Sequence, residues 1–254
     1  MIASLPMYDW PEVRPATDQL WQALSNQFGS EIALQRGDDY TAAWRNPQLL
    51  FSQTCGYPFT HEFKGKLGYV ATPHYAATGC EGANYSSFIF ARQDVALEEL
   101  RGCVAAVNTT ESMSGMLALK LVFGPLAHRG IFFSGVKMTG GHVASLEAVR
   151  DGNADVCATD AICVALARRY RPSLLAGLVE IGRSPWVPGL PFVTIAGDIE
   201  MLRKGLQAVF ADEDLRHQRE KLLLSGLSIL PISNYNRILE LESEIERMGG
   251  LKLS

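Results

Sequence analysis

The sequence predicts an α/β protein with mostly parallel sheets, on three observations. Short β-rich runs alternate with longer segments of 3.6-residue periodicity. The middle of the chain repeats one grammar three times: an apolar strand, a polar turn and a helix. The 254 residues, 47% hydrophobic and 20% charged, suffice to bury a full core in one large domain or two small ones.

Taken in order, "MIASLPMY" reads as the first strand. "ATDQLWQALSNQFG" follows as a helix with Thr17 or Asp18 near its start and Gly29 at its end. "LLFSQT", "LGYVATPHY" and "SSFIFARQD" are strands separated by loops rich in Gly, Pro and aromatic residues. After a short helix, "LEELRG", the repeated grammar begins. "CVAAVN" leads through "TTESMSG" into "MLALKLVFG", "GIFFSGVKM" through "TGGH" into "VASLEAVRDG", and "ADVCAT" through Asp160 into "AICVALARRY". A strand, "GLVEIGRS", and a Pro-rich stretch, "PWVPGLPFVTI", lead away. Helices near 198–212 and 214–226 and a closing helix, "SNYNRILELESEIERMG", complete the chain.

Composition excludes several classes. With 23 Lys plus Arg against 27 Asp plus Glu, the net charge of -4 gives no general attraction to nucleic acid or anionic membranes. No run of about 18 apolar residues exists, so a membrane-spanning helix is not expected. The start lacks a basic n-region and the apolar h-region of roughly 7–15 residues that a secretory signal needs. As written the chain is expected in the cytoplasm, and in the periplasm if a leader has been removed. The five cysteines show no CxxC pair and no zinc-type Cys/His spacing, so neither a metal nor a cofactor is expected. Cys103, Cys157 and Cys163 read as small buried hydrophobes. Cys55 and Cys80, in Gly-rich loops, stand either as a disulfide or as thiols.

The three polar turns occupy the carboxyl ends of strands, where ligands of open α/β sheets bind and helix N-termini point. Free N–H groups and a partial charge of about +0.5 make such an end an anion receptor. One Ser or Thr suffices to cap a helix, yet Thr109, Thr110, Ser112 and Ser114 supply several hydroxyls. The surplus points to a bound anion, with Gly115 allowing close backbone approach. In the second turn, two glycines free the backbone and His142 can donate to an oxyanion, with Ser145 on the same helical turn. Asp160 is by default an N-cap and alternatively the partner of a cationic ligand group. Met7, Tyr8 and Trp10 after the first strand offer an aromatic wall, which with Asp160 suggests an organic, amino-bearing substituent. Cys55 and His142 could serve as nucleophile and base, but no nucleophile motif joins them, and binding is expected over catalysis.

These residues resemble the phosphate/phosphite/phosphonate substrate-binding proteins of ABC transporters. "SMSG", Ser112–Gly115, looks like that family's phosphoryl-binding Ser-Thr-Ser-Gly turn, with Met113 at the middle hydroxyl position and Thr110 as a compensating hydroxyl. "GGHVASLEAVRDGNADV" resembles its Gly-x-His turn, which maps His142. "YSSFIFARQD" resembles its Tyr-x-Ser crossover, which carries over Tyr85 as a cleft residue, and Arg183, Ser184 and Pro185 match its second crossover. The resemblance implies a class II periplasmic-binding-protein-like fold: two α/β lobes joined by two hinge crossovers, with a ligand cleft between them. Lobe 1 would take 1–93 and 191–254, with the last helix packed on it, and lobe 2 would take 94–190. The implied function is capture of a small anion of the phosphonate, phosphate or phosphite class, with Tyr8, Trp10, Gln53 and Thr54 as first-lobe walls. An ABC permease and ATPase would be partners of a monomeric protein. The alternative is a cytoplasmic sensor or cofactor-biosynthesis enzyme on the same fold.

Overall fold

The computed structural model describes residues 1–29, 31–37, 39 and 41–253. Its contacts group the chain into two compact units. The first comprises Met1–Ala76, Glu81–Ala83 and Pro188–Asn234, and the second Ala77–Cys80, Asn84–Val187 and the chain from Tyr235.

In the first unit a five-stranded sheet runs in the order Ile2–Ser4, Leu49–Gln53, Phe192–Thr194, Gly68–Tyr75, Leu224–Ser228. Ile2–Ser4 and Leu49–Gln53 pair parallel, while Phe192–Thr194 runs antiparallel to both of its neighbours. Every residue of Leu49–Gln53 is buried, as expected of a strand covered on both faces. The helix Arg14–Gln27 starts three residues earlier than Thr17, because Pro15 suits a first helical turn. The Thr17 hydroxyl donates back to the Val13 carbonyl rather than capping. Leu20, Trp21 and Leu24 from this helix pack with Phe51, Leu202 and Leu206 in one core cluster, Trp21 stacking on Phe51 with ring centroids 6.0 Å apart.

In the second unit the order is Val179–Arg183, Ser87–Ala91, Val156–Asp160, Val104–Val107, Gly135–Met138. The last three strands are parallel, and Ser87–Ala91 is antiparallel to both of its neighbours. Its core unites Phe88 and Phe90 with Leu146, Val149, Cys157 and Val164.

Four expectations are corrected. The sheets are mixed rather than mostly parallel, because Phe192–Thr194 and Ser87–Ala91 each enter their sheet against the direction of the neighbours. The helix expected over 214–226 is only Arg216–Lys221. Leu223 adopts a left-handed φ of 59° that stops it, and Leu224–Ser228 pairs with Gly68–Tyr75 instead. The strand expected from Gly130 is confined to Gly135–Met138, since Phe132 and Phe133 pack against Phe123 with centroids 5.0 Å apart. The closing helix, Asn236–Arg247, belongs to the second unit and not to the first lobe. Its Ile238, Leu241 and Ile245 are buried, and Gly124 is so close to Ile245 that a β-carbon there would lie 3.0 Å from its side chain. The contact units change over near 83 and 187; the expected lobe bounds were 93 and 190.

Among the described residues no helix is long and apolar enough to cross a membrane, and no cluster of His, Cys, Asp and Glu could hold a metal ion. The five cysteines are thiols rather than disulfide-bonded, Cys55 and Cys80 included.

Candidate ligand-binding site

The three polar turns of the second unit follow the parallel strands Val104–Val107, Gly135–Met138 and Val156–Asp160 at their carboxyl ends. The first begins at Asn108 and enters a wide helical turn, Met113–Leu117, that continues as Ala118–Phe123. Leu117 N–H donates to the Ser112 carbonyl five residues back. Such a widened turn recurs at functional sites. Ser112 is the N-cap: its hydroxyl oxygen accepts from Gly115 N–H and from Asn108 Nδ2, both at 2.9 Å. With its two acceptor positions filled, this hydroxyl has only its proton left to offer.

The second turn is joined to the first. Gly140 N–H donates to the Asn108 carbonyl at 2.8 Å, and Thr139 N–H to the Val107 carbonyl at 2.9 Å. The Thr139 hydroxyl lies 2.6 Å from Ser145 Oγ, buried in the first helical turn. Gly140, with φ of 83°, makes the left-handed bend, and no atom lies within 4 Å of where a β-carbon would project from it or from Gly141. The backbone is therefore open to an approaching group. The helix His142–Arg150 starts there.

His142 completes the join, its Nε2 lying 2.8 Å from Ser114 Oγ. Its Nδ1 is enclosed and makes no hydrogen bond of standard geometry. Burial, opposed in part by the Ala158 carbonyl, pushes the imidazole down to about 4, so it is neutral at pH 7. Asn108, Ser112, Ser114, Thr139, His142 and Ser145 thus form one connected, uncharged set of donors and acceptors across two helix starts.

The third turn is different. Asp160, 2% exposed, accepts from Ile162 N–H at 2.7 Å and Cys163 N–H at 3.2 Å, capping its own helix. Its carboxylate therefore occupies the helix end where an external anion would otherwise bind. Burial, then the charge of Asp160, raises the Cys80 thiol to about 12, which leaves it protonated and unreactive.

Of the other residues singled out in the sequence, Thr110 is exposed, and Met113 and Tyr85 are buried at 1% and 2% exposure. Ser184 Oγ accepts from Ser87 N–H at 2.8 Å and holds the sheet edge. In the first unit, Tyr8 packs edge-on to Tyr75 with centroids 5.3 Å apart. The Trp10 carbonyl receives the N–H groups of Val13 and Arg14 at the start of the first helix. Gln53 Nε2 donates to Tyr75 Oη and to the Leu190 carbonyl, both at 3.0 Å. Thr54 N–H donates to the Pro191 carbonyl. A small cavity of about 50 Å³ at these strand ends is lined by Leu5, Tyr8, Gln53, Tyr75 and Phe192. Sequence reasoning did not single out Asn108 or Thr139. The available signal was position, each being the first residue after a strand.

A family model described as ABC transporter, phosphonate, periplasmic substrate-binding protein matches residues 2–234. The chain belongs to that family. It is thus a phosphonate-class solute-binding protein of an ABC transporter, with transport as the family's role rather than sensing or biosynthesis. Solved structures agree on the periplasmic-binding-protein fold. A binding protein component of an ABC phosphonate transporter from Pseudomonas aeruginosa superposes with a TM-score of 0.76 at 16% identity, covering 98% of this chain and 87% of that one. PhnD1 from Prochlorococcus marinus, in complex with methylphosphonate, gives 0.76 at 15% identity over 97% and 98%. XAC2383 from Xanthomonas citri, bound to chloride ion, gives 0.71 at 16% over 98% of each. No curated protein matches the sequence.

Proposed function

We propose that the protein delivers an alkylphosphonate to its transporter, and that the joined turns of the second unit receive the phosphonyl oxygens. The observation that carries this reading is the Ser112 hydroxyl, whose acceptor positions are filled by Gly115 and Asn108. A cap needs the oxygen only; the remaining proton is surplus to the fold and suits an anion. The open Gly140–Gly141 backbone and the first-turn amides of the helix His142–Arg150 supply further neutral donors, and Ser114 joins them in the tautomer whose His142 Nε2–H donates to its Oγ. Thr110, exposed beside them, stands as an outer contact. Neutral donors suit a protein that must release its cargo, since they add no fixed positive charge.

Asp160 caps its helix through Oδ1, and an amino-bearing substituent is not part of this proposal. A hydrolytic reading of the Ser114–His142 pair is disfavoured on chemistry. A general base works best with a pKa near the operating pH, and burial drives His142 to about 4. Operation in the periplasm, with a permease and an ATPase, follows the family's role and is part of the proposal.

The test is calorimetric titration of the purified protein with methylphosphonate, 2-aminoethylphosphonate, phosphate, phosphite and sulfate. Methylphosphonate is expected to bind most tightly. At about 100 times Kd it should stabilise by roughly 2.7 kcal/mol, a Tm rise of several degrees at about 2–4 °C per kcal/mol. Tighter binding of sulfate, or of phosphate over every phosphonate, would overturn the ligand class.

A further inference from the structure

Asn108 is absent from the motifs that mark the phosphonyl site, yet it touches both turns. Its side chain donates to Ser112 Oγ and its carbonyl accepts from Gly140 N–H. Its Oδ1 is buried without a hydrogen-bond partner and lies 1.8 Å from where a β-carbon on Gly115 would sit. One Cα hydrogen of Gly115 therefore faces this oxygen, a weak C–H···O contact. The contact favours the orientation with Oδ1 towards Gly115, since the reversed amide would set its N–H groups against that hydrogen. Gly115 at the other end has room for Asn108 only because it lacks a side chain.

We infer that Asn108 is a positioning residue for ligand capture, acting through Ser112 rather than on the ligand. By donating to Ser112 Oγ it fills the second acceptor position, leaving that hydroxyl as an obligate donor aimed away from the turn. Without Asn108 the Ser112 proton can rotate into the vacated direction, and the ligand must first reorient it. The residue also ties the donor turn to the Gly140 turn through its main chain, so both turns keep one register. The inference rests on the phosphonyl site proposed above.

A double-mutant cycle with methylphosphonate as the probe separates the possibilities. Ser112→Ala is expected to weaken binding by at least tenfold, Asn108→Ala by a similar factor, and the double variant by no more than the worse single variant within about twofold. Multiplication of the two losses, or an Asn108→Ala affinity within twofold of wild type, would overturn the inference while leaving the site intact. A merely structural role would lower Tm and multiply with Ser112→Ala. A wild-type protein that binds no phosphonate would remove the site itself and the inference with it. If Asn108→Ala fails to fold, Asn108→Asp keeps the shape but only accepts, and draws the Ser112 proton inward. Its charge repels the anion equally with or without Ser112, so the ratio of its losses in the two backgrounds isolates the part acting through that hydroxyl. A ratio of one overturns the inference.

Discussion

At the strand ends of the first unit, the amide of Gln53 donates both its protons to groups of the fold, Tyr75 Oη and the Leu190 carbonyl. At the strand ends of the second, Ser112 accepts twice from the fold and retains a proton, and Ser114 pairs with a histidine that burial keeps neutral. Both regions place polar residues beyond the carboxyl ends of parallel strands, where α/β proteins bind ligands. The difference lies in leftover hydrogen-bond capacity. On the function proposed above, it is the donor the fold leaves unused, rather than polarity at a strand end, that marks the site. Substitutions should therefore divide cleanly, those in the second unit acting on affinity and those in the first on stability.

The largest effect is expected at Gly115, where the two demands meet. A methyl group there would lie 1.8 Å from Asn108 Oδ1 and 3.3 Å from Ser112 Oγ, so Asn108 must leave its place. Gly115→Ala should abolish measurable methylphosphonate binding and cost about 1–3 kcal/mol of stability, the range for overpacking. Titration calorimetry and urea denaturation read the two separately. Wild-type affinity in this variant would show that the turn does not hold the ligand.

The next pair sharpens the contrast directly. Ser114→Ala should weaken phosphonate binding by about 10- to 150-fold, which is roughly 1.5–3 kcal/mol for one hydrogen bond to a charged group, while stability changes by about 1 kcal/mol or less. Gln53→Ala should do the reverse. The half-buried Tyr75 hydroxyl and the Leu190 carbonyl lose this donor, at about 1–3 kcal/mol of stability, with methylphosphonate affinity within about threefold of wild type. A Gln53→Ala protein of unchanged Tm but much weaker binding would make Gln53 a ligand contact and collapse the distinction.

How much of this was legible in the sequence follows the same division between local and tertiary causes. The excess of hydroxyls in "NTTESMSG" and the paired glycines of "TGGH" are local facts, and they located both turns that the structure joins. That Ser114 meets His142 at 2.8 Å is tertiary: it depends on two parallel strands lying side by side. Asn108 was hidden because its role depends on which way one amide group points. The apolar run Leu222–Ile229 carries no periodicity that separates helix from strand, and only its pairing partner, Gly68–Tyr75, decides the matter. The amphipathic seam of Asn236–Arg247 was visible, but a seam does not name the surface it covers. The resemblance to a binding-protein family supplied what periodicity could not, the presence of crossover strands, although not their consequence that both five-stranded sheets are mixed.

The smallest expected effect is a pH dependence, which comparison with a His142 variant assigns to His142; His74, also lowered from 6.5 by burial, titrates in the same window and contributes to both proteins. In the folded protein its pKa is lowered from 6.5 to about 4, mainly by burial. Between these values the unfolded chain binds a proton that the native site refuses, so stability falls as pH falls through that window. The contribution of the neutral imidazole is complete above pH 6.5 and is lost towards pH 4. Asp39 and Asp151 also have lowered pKa values, through the Thr41 hydroxyl and Arg150 respectively, but they start from 3.8 and act below the window. Urea midpoints measured from pH 7 to 4 should therefore decline in the wild type and decline less in His142→Asn, which keeps a polar group in place without titrating there. Equal slopes would mean that His142 gains protons as readily in the folded chain as in the unfolded one. An imidazole of unshifted pKa 6.5 would still be mostly neutral at pH 7, so the Ser114–His142 pair would lose its uncharged character only on acidification through that value.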